Sequence, residues 1–482
     1  GELLSFHIPV PLGFAVMANA FDYVLESNDI LYEGQVISLK EYIKRQITKI
    51  SEELQKEDIK SIKTVDKICA NIRTHIEQAQ MPDSLRDEIL DAYRKLLDRI
   101  GNETTFAVRS SATAEDLPDA SFAGQQDTHL NISGEKEIVD YILKDMASVF
   151  TTRATAYRER AGFDHFSVKL SVGVQEMAGG RGGVKSSGVM FTEDPDSGTP
   201  NVIIIRGTWG LGELIVQGVE KGDEFIVFKH SPENMRIISK TLAKKMQMME
   251  FDDNKQGTVT VSVPEKKQKQ YCLNETQVLK LAEYAKRIRE HYGKRMDIEW
   301  ALGKNEKIYI VQARPETVHS QKGDKEEIFY LIEDPNKLIN EGMLIENSGT
   351  AIGRRIGYGK LKIIESINEA YLLEDGDVLV TEETNPDWTS YMQNLGAVIT
   401  ERGGPTCHAA IVSRELNIAG IVGADNIIEI LKDYQRDKEL NNLTIDCSEG
   451  EPRIWAKEVE YDFDTIEFSQ LPLTNTQVLV NL

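Results

Sequence analysis

The sequence is poor in basic residues relative to acidic ones. Its 56 lysines and arginines are outnumbered by 78 aspartates and glutamates, which gives a formal net charge of −22. A surface that binds nucleic acid or an anionic membrane needs a basic face. The composition therefore argues against nucleic acid and membrane as partners. An anionic substrate has to be met by a local basic cluster or by a divalent metal ion.

Paired cysteines and long apolar runs are also lacking. The four cysteines show no CxxC spacing, which is typical of a reducing compartment rather than of a disulfide framework. No apolar run approaches the roughly 20 residues that a membrane-spanning helix requires, and no signal peptide is recognisable. These absences predict a cytoplasmic protein.

The chain is too long for one ordinary domain. At 482 residues, with a hydrophobic fraction of 40%, it has enough material for several cores. Apolar residues recur at three- and four-residue steps over 37–54, which predicts an amphipathic helix. A second helix is predicted from an N-cap at Ser84 to residue 100, where Gly101 ends it. The polar segment 321–327 marks a boundary before a compact α/β region.

One histidine lies in a glycine-rich turn, at residues 400–410, just where a helix should begin. Residues 395–400 read as a buried strand, and residues 409–416 have an apolar stripe at helical spacing. The free N–H groups and the dipole of a helix start favour an anion, and imidazole with a pKa of about 6.5 is a competent nucleophile. The pattern fits a phosphorylated His408; a structural histidine that caps the helix is the open alternative.

An arginine at a strand end is followed by a segment rich in hydroxyl groups. Arg109 precedes small residues and serines over 110–124, and such a planar donor group can grip phosphate oxygens. A surface arginine in an ordinary loop is the alternative. The glycines at 207–213 match only a fragment of a dinucleotide fingerprint, so a Rossmann site is excluded.

Two predicted strands of a hairpin carry polar residues on one face each. Alternation puts Asp297 and Glu299 together on the first strand, and Gln312 and Arg314 together on the second. Two carboxylates, an amide oxygen and a guanidinium that converge from paired strands fit a Mg²⁺ ion held against a polyphosphate. A solvated sheet face is the alternative for these residues.

Taken together, these motifs resemble the phosphoenolpyruvate synthase (pyruvate, water dikinase) type of PEP-utilising enzyme, a family related to pyruvate, phosphate dikinase. Residues 384–423 are similar to the family's mobile phosphohistidine domain. Residues 106–124, 210–213 and 297–316 are similar to its ATP-grasp nucleotide-binding domain. The family also has a glycine-glycine-lysine stretch, upstream of the first residue of this sequence, whose lysine helps to bind ATP phosphate.

The resemblance implies an α/β and α+β multidomain fold. An ATP-grasp-type nucleotide-binding domain is expected over residues 1–320 and a linker over 321–340. A swivelling α/β phosphohistidine domain is expected over 341–457. Residues 458–482 would then be a linker and the start of a missing barrel that binds pyruvate and phosphoenolpyruvate.

The resemblance also implies which residues handle the phosphoryl group. His408 takes the pyrophosphoryl group of ATP and then retains one phosphoryl, while Thr406 bonds the histidine or its phosphate. Arg109 and Arg314 contact the phosphates of ATP.

Further roles carried over from the family concern the metal and the base. Glu299 and Gln312 are expected to ligate Mg²⁺, with Asp297 assisting nearby. Glu176 and Met177, at the end of a predicted strand, are expected at the hinge on the adenine side.

The activity implied is ATP-dependent phosphorylation of a histidine, with release of AMP and phosphate, as the first half of the conversion of pyruvate to phosphoenolpyruvate. ATP and Mg²⁺ are the expected substrate and cofactor, and a homodimer is left open. One alternative is a related dikinase with another acceptor, such as a phenol, a glucan or an antibiotic. Another is a non-catalytic module that binds nucleotide or carries phosphate.

Overall fold

The computed structural model describes residues 2–54, 59–112, 116–117, 120–121, 128–160, 162–180, 183–195, 199–229, 235–252, 257–315, 326–332, 334–405 and 407–467. The helices are α1 (Glu2–Ser5), α2 (Asn19–Ser27), α3 (Leu39–Leu54), α4 (Ile59–Glu77), α5 (Asp83–Ile100), α6 (Glu135–Ala147), α7 (Thr152–Arg160), α8 (Glu213–Val216), α9 (Glu265–Gln268), α10 (Glu275–Tyr292), α11 (Pro335–Asn340), α12 (His408–Glu415) and α13 (Ile427–Lys438). Short 3₁₀ helices span Ser148–Phe150, Ile367–Leu372 and Pro386–Tyr391.

The strands alternate with these helices along most of the chain, and the mixed α/β fold class expected from the sequence is confirmed. They are β1 (Gly13–Val16), β2 (Asp29–Tyr32), β3 (Gln35–Ser38), β4 (Phe106–Ala112), β5 (Asp116–Leu117), β6 (Ala120–Ser121), β7 (Thr128–Ile132), β8 (Leu170–Glu176), β9 (Val184–Phe191), β10 (Val202–Trp209), β11 (Asp223–Lys229), β12 (Met235–Thr241), β13 (Gln247–Phe251), β14 (Thr258–Ser262), β15 (Met296–Gly303), β16 (Ile308–Pro315), β17 (Glu326–Ile332), β18 (Leu344–Ile345), β19 (Thr350–Ile352), β20 (Ile356–Ile363), β21 (Val378–Thr381), β22 (Ala397–Thr400), β23 (Ala419–Val422), β24 (Asn442–Asp446), β25 (Arg453–Trp455) and β26 (Tyr461–Glu467).

The chain forms two compact units. The first unit comprises residues 1–185, 249–261 and 301–311, and the second comprises residues 186–248, 262–300 and 312–482. No helix in the described ranges combines the length and the apolar character needed to cross a membrane.

The first unit is built around an antiparallel sheet with the strand order β1-β8-β4-β7. Helices α2 to α6 supply apolar side chains to one core with this sheet, including Ile43, Ile72 and Ile142, each without solvent exposure. The predicted helix over 37–54 is confirmed from Leu39 onward, because residues 35–38 pair with β2 as a hairpin.

The predicted helix that ends at Gly101 is confirmed, but its predicted N-cap is wrong. Helix α5 begins at Asp83, after Pro82, whose φ of −55° and ψ of 136° place it outside the helix. Ser84 is therefore the second helical residue, and its hydroxyl lies 3.3 Å from the hydroxyl of Tyr23 instead of capping a backbone N–H. Pro82 has its φ fixed by the ring, and the helix begins directly after it instead of at the serine.

A six-stranded sheet with the order β12-β11-β10-β9-β15-β16 carries the nucleotide-site candidates of the second unit. Its strand β10 runs to Trp209, so the first part of the predicted glycine-rich connection at 207–213 is strand. At the start of β11, Asp223 is ion-paired with Lys245, and neither side chain is exposed. Asp223 also accepts the backbone N–H groups of Ala243 and Cys272, at 2.9 and 2.7 Å.

The C-terminal part of the second unit is an eight-stranded sheet with the order β18-β25-β24-β20-β21-β22-β23-β19. Its central strands β20 to β23 are parallel neighbours. One apolar cluster includes Ile399 and the α13 residue Leu431, and another includes Val398 and the α12 residue Ala410. Since Val398 and Ile399 are consecutive in a strand, they point to opposite faces, and a helix covers each face.

The segment expected to be a linker has regular structure where it is described. Residues 326–332 form β17, which pairs with β26, and α11 follows. Residues 321–325, and residues 468–482 of the predicted linker and barrel start, lie outside the described residues. The domain boundaries 1–320, 321–340, 341–457 and 458–482 stay predictions.

Replacing Lys245 with methionine should strongly destabilise the second unit. The change leaves the buried Asp223 carboxylate without its cation, and breaking a buried ion pair costs about 3–5 kcal/mol. Lys280→Met is the control, because the Lys280–Glu283 pair is 44% exposed on both sides and such pairs contribute about 0–1 kcal/mol. Urea unfolding followed by tryptophan fluorescence measures both. Equal losses in the two variants would contradict the structural role of the buried pair.

Candidate active site

His408 is the first residue of helix α12, directly after a turn that follows β22. The N-cap is Cys407, which makes no side-chain capping hydrogen bond. Gly403 has a φ of +106°, a conformation that favours glycine. The predicted order of strand, glycine turn, histidine and helix is confirmed, and the histidine lies in the first turn of the helix.

Both ring nitrogens of His408 are within hydrogen-bond distance of threonine hydroxyls. Nδ1 lies 2.9 Å from Oγ1 of Thr384, and Nε2 lies 3.0 Å from Oγ1 of Thr389. A neutral imidazole has one N–H donor and one acceptor nitrogen, so one threonine hydroxyl accepts a hydrogen bond from the ring N–H and the other donates one to the unprotonated nitrogen. The contacts fix the orientation of the ring.

The two threonines come from the segment between β21 and β22. Thr384 is 9% exposed, and Thr389 lies in the 3₁₀ helix Pro386–Tyr391, which Asn385 caps by accepting the N–H of Asp387 at 3.0 Å. Neither threonine is among the residues expected from the sequence. The Asn-Pro-Asp-Trp motif at 385–388 lies between them, but nothing in the sequence says that this segment folds back over the helix start.

The threonine that was assigned, Thr406, lies outside the described residues. Its expected bond to the histidine or the phosphate remains a prediction. Cys407 is buried, and burial raises the pKa of its thiol. A protonated buried thiol is a poor nucleophile, which leaves His408 as the candidate nucleophile in this turn.

The second candidate group lies at the paired strands β15 and β16. Arg314 donates to Oδ2 of Asp297 from Nε at 3.0 Å and from Nη2 at 2.8 Å. The Asp297 carboxylate, and to a smaller extent that of Glu299, raises the pKa of Arg314. The predicted convergence of these faces is therefore present for Asp297, Glu299 and Arg314, and the arginine stays charged.

The same face offers oxygen ligands of the kind that Mg²⁺ prefers. Oδ1 of Asp297 is buried and has no hydrogen-bond partner among the residues that the structure describes. Glu299, on the same strand, and Gln312, on β16, are half-buried. Two carboxylates and an amide oxygen match the hard-oxygen chemistry of this ion. Within the described residues, no set of three or more His, Cys, Asp and Glu side chains is arranged to hold a metal. The roles of Glu299 and Gln312 toward Mg²⁺ stay predictions.

The remaining candidates belong to the first unit. Arg109 lies in the middle of β4, opposite Gly173 of β8, rather than at the strand end where the sequence put it. Glu176 ends β8, and its Oε2 accepts the N–H of Leu12 at 3.4 Å; burial raises the pKa of this carboxyl. Met177 is 5% exposed and follows directly. Their roles toward ATP stay predictions.

Replacing Thr384 with valine should change the environment of Nδ1 while leaving Nε2 hydrogen-bonded to Thr389. We expect the ¹⁵N resonance of Nδ1 in the labelled histidine to move most. Because an intramolecular hydrogen bond contributes about 0.5–1.5 kcal/mol, reactivity that depends on this orientation should fall about 2- to 10-fold. Thr389→Val is the matched variant, with the larger shift at Nε2. Unchanged resonances in both variants would contradict the two contacts.

Two family models match this chain, one over its N-terminal part and one over its C-terminal part. Residues 1–330 match the model described as "Pyruvate phosphate dikinase, AMP/ATP-binding domain". Residues 373–450 match the model described as "PEP-utilising enzyme, mobile domain". His408, Thr384 and Thr389 fall in the second match, and Asp297, Glu299, Gln312 and Arg314 fall in the first.

Several curated relatives are named phosphoenolpyruvate synthase. The Aquifex aeolicus protein is 38% identical over 100% of this chain and 54% of its own length. The Escherichia coli protein is 39% identical over 100% of this chain and 57% of its own length. This chain thus spans little more than half the length of these relatives. The resemblance seen in the motifs is confirmed: the chain belongs to the PEP-utilising enzyme family with a pyruvate phosphate dikinase AMP/ATP-binding domain.

Proposed function

We propose that this chain transfers the β,γ-pyrophosphoryl group of ATP to His408 and then retains one phosphoryl group on the ring. The observation that carries the proposal is the histidine at the start of α12 with both nitrogens held by hydroxyls. A histidine that served only to cap the helix would need no second segment to orient its ring. The family match of residues 1–330 to an AMP/ATP-binding domain supports ATP as the donor.

The chemistry requires an unprotonated ring nitrogen. That nitrogen attacks the β-phosphorus, a nitrogen–phosphorus bond forms, and the bond from the β-phosphorus to the oxygen bridging to the α-phosphorus breaks. AMP leaves with the bridging oxygen. Water then cleaves the bond between the β- and γ-phosphorus, which releases phosphate and leaves one phosphoryl on the ring. The attacking nitrogen has to give up its threonine, while the other threonine keeps the ring in place.

The residues of β15 and β16 are proposed to stabilise the charge on the phosphates. Arg314 is held by Asp297 at 2.8 Å, so its planar donors are oriented before the nucleotide arrives. Glu299 and Gln312, with Oδ1 of Asp297 nearby, would hold Mg²⁺, which neutralises phosphate charge when bound. Arg109 and the pair Glu176 and Met177 keep their proposed roles at the phosphates and the adenine. The site thus separates a nucleophile from a charge-stabilising face.

For the complete activity we propose conversion of pyruvate to phosphoenolpyruvate, because the relatives named above carry that name. The phosphoryl acceptor would bind to a region of the relatives that this chain does not cover. Related dikinases with other acceptors differ in that region, and no observation on this chain favours them. A cytoplasmic location and a homodimer stay expectations.

Incubation with Mg²⁺ and ATP labelled at the β-phosphate should label His408. We expect label that is lost in acid and stable in base, abolished in His408→Ala and retained in His291→Ala, whose histidine is exposed at the end of α10. Electrophoresis at neutral pH with autoradiography measures the label. Label that persists in His408→Ala moves the function to another residue, and an unlabelled wild-type chain at millimolar ATP points to a module that only binds nucleotide.

A further inference from the structure

The turn between α8 and β11, residues 217–222, lies against the loop that carries His408. Gly218 has a φ of +76°, and its N–H donates to the carbonyl of Ile215 at 3.2 Å. A methyl group on Gly218 would overlap Cβ of Cys407 and lie 2.5 Å from its Cα. The two backbones are therefore as close as they can be, one residue before the nucleophile.

A lysine in the same turn spans two more glycines of the histidine-bearing part. The Cγ of Lys221 is 3.3 Å from the position of a Cβ on Gly404, which lies in the loop before His408. The Nζ of Lys221 is 2.8 Å from the position of a Cβ on Gly423, directly after β23. Both glycines leave room for the lysine, so the contact between the turn and the loop depends on backbone shape at three glycine positions.

The turn is held firmly from the sheet side. Glu220 is 8% exposed, and its Oε1 accepts the N–H of Gln247 at 2.6 Å. Asp223, the next residue but two, forms the buried ion pair with Lys245. A surface fixed by buried polar contacts can position a neighbouring loop within the small tolerance that group transfer needs.

The carboxylate of Glu415, the last residue of α12, is among the groups that raise the pKa of Arg314, after those of Asp297 and Glu299. The charge at this end of the histidine helix therefore acts on the guanidinium proposed to bind the phosphates of ATP.

We propose that the turn 217–222 is the seat on which the His408 loop docks for phosphoryl loading, and that Gly218 is a positioning residue because any side chain there pushes the loop away. The inference rests on the proposed function and adds the surface that sets the distance from nucleophile to nucleotide. Lys221 completes the seat by crossing Gly404 and Gly423. Gly218 touches neither substrate nor the reacting atoms, so it acts through the position of the loop alone.

The test compares Gly218→Ala with Gly293→Ala. Gly293 has a φ of +63°, and none of the described residues comes within 4 Å of an added Cβ. Both variants therefore carry the same kind of backbone strain, and only the first has the clash with Cys407. We expect Gly218→Ala to bind a non-hydrolysable ATP analogue as wild type does while its rate of His408 labelling falls about 100-fold, as misplacement by about 1 Å does elsewhere. Gly293→Ala should label at the wild-type rate.

A second pair of variants covers a failure of Gly218→Ala to fold. Lys221→Glu is compared with Lys244→Glu, since both lysines are exposed and both lie in the second unit. Only Lys221→Glu should slow labelling. Wild-type labelling rates in Gly218→Ala or in Lys221→Glu overturn the seat while leaving the proposed function intact. An unlabelled wild-type chain instead overturns the proposed function itself.

Discussion

The hydrogen bonds from Thr384 and Thr389 to the His408 ring are the interaction on which the proposed chemistry depends. They connect a nucleophile at a helix start to a segment that precedes it by a whole strand. Because both ring nitrogens are hydrogen-bonded, the ring is oriented before the phosphoryl donor binds. When one hydrogen bond is lost as the nitrogen attacks, the other stays in place. Orientation of this kind lowers the barrier because the alignment is already made.

The fold supplies rigid surroundings for that ring. Helix α12 is fixed by the apolar cluster that contains Val398 and Ala410, while α13 covers the opposite face of the same sheet. The six-stranded sheet holds Arg314 through Asp297 and fixes the turn 217–222 through the buried pair of Asp223 and Lys245. The proposed nucleophile, the proposed charge-stabilising face and the proposed docking turn are thus each anchored by buried contacts.

The sequence is sufficient to predict those parts of the fold and site that depend on residue spacing alone. Spacing predicts the glycine turn before His408, the paired strands with Asp297 and Arg314, and the amphipathic helix over 37–54. Where two local signals lie close together, the sequence does not show which one determines the structure. Pro82 and Ser84 both precede or begin a possible helix, and the helix begins directly after Pro82.

Contacts between distant segments were not predictable from one sequence. Thr384 and Thr389 carry no motif of their own, and Gly218 matters because Cys407, far along the chain, comes within contact distance. The sequence pattern predicts Arg109 at the end of a strand, but the residue lies in the middle of β4 and is paired with Gly173 of β8. Periodicity and motif spacing report on neighbours along the chain, whereas these features arise from tertiary packing.

The most direct test of the central claim is to locate the phosphoryl group after reaction with Mg²⁺ and ATP. The chain is digested at neutral pH, and the peptide that contains residues 403–414 is sequenced by mass spectrometry. The account predicts one phosphoryl group on His408, and release of AMP in equal amount. A phosphoryl group on any other residue, or hydrolysis to ADP with an unmodified His408, would contradict it.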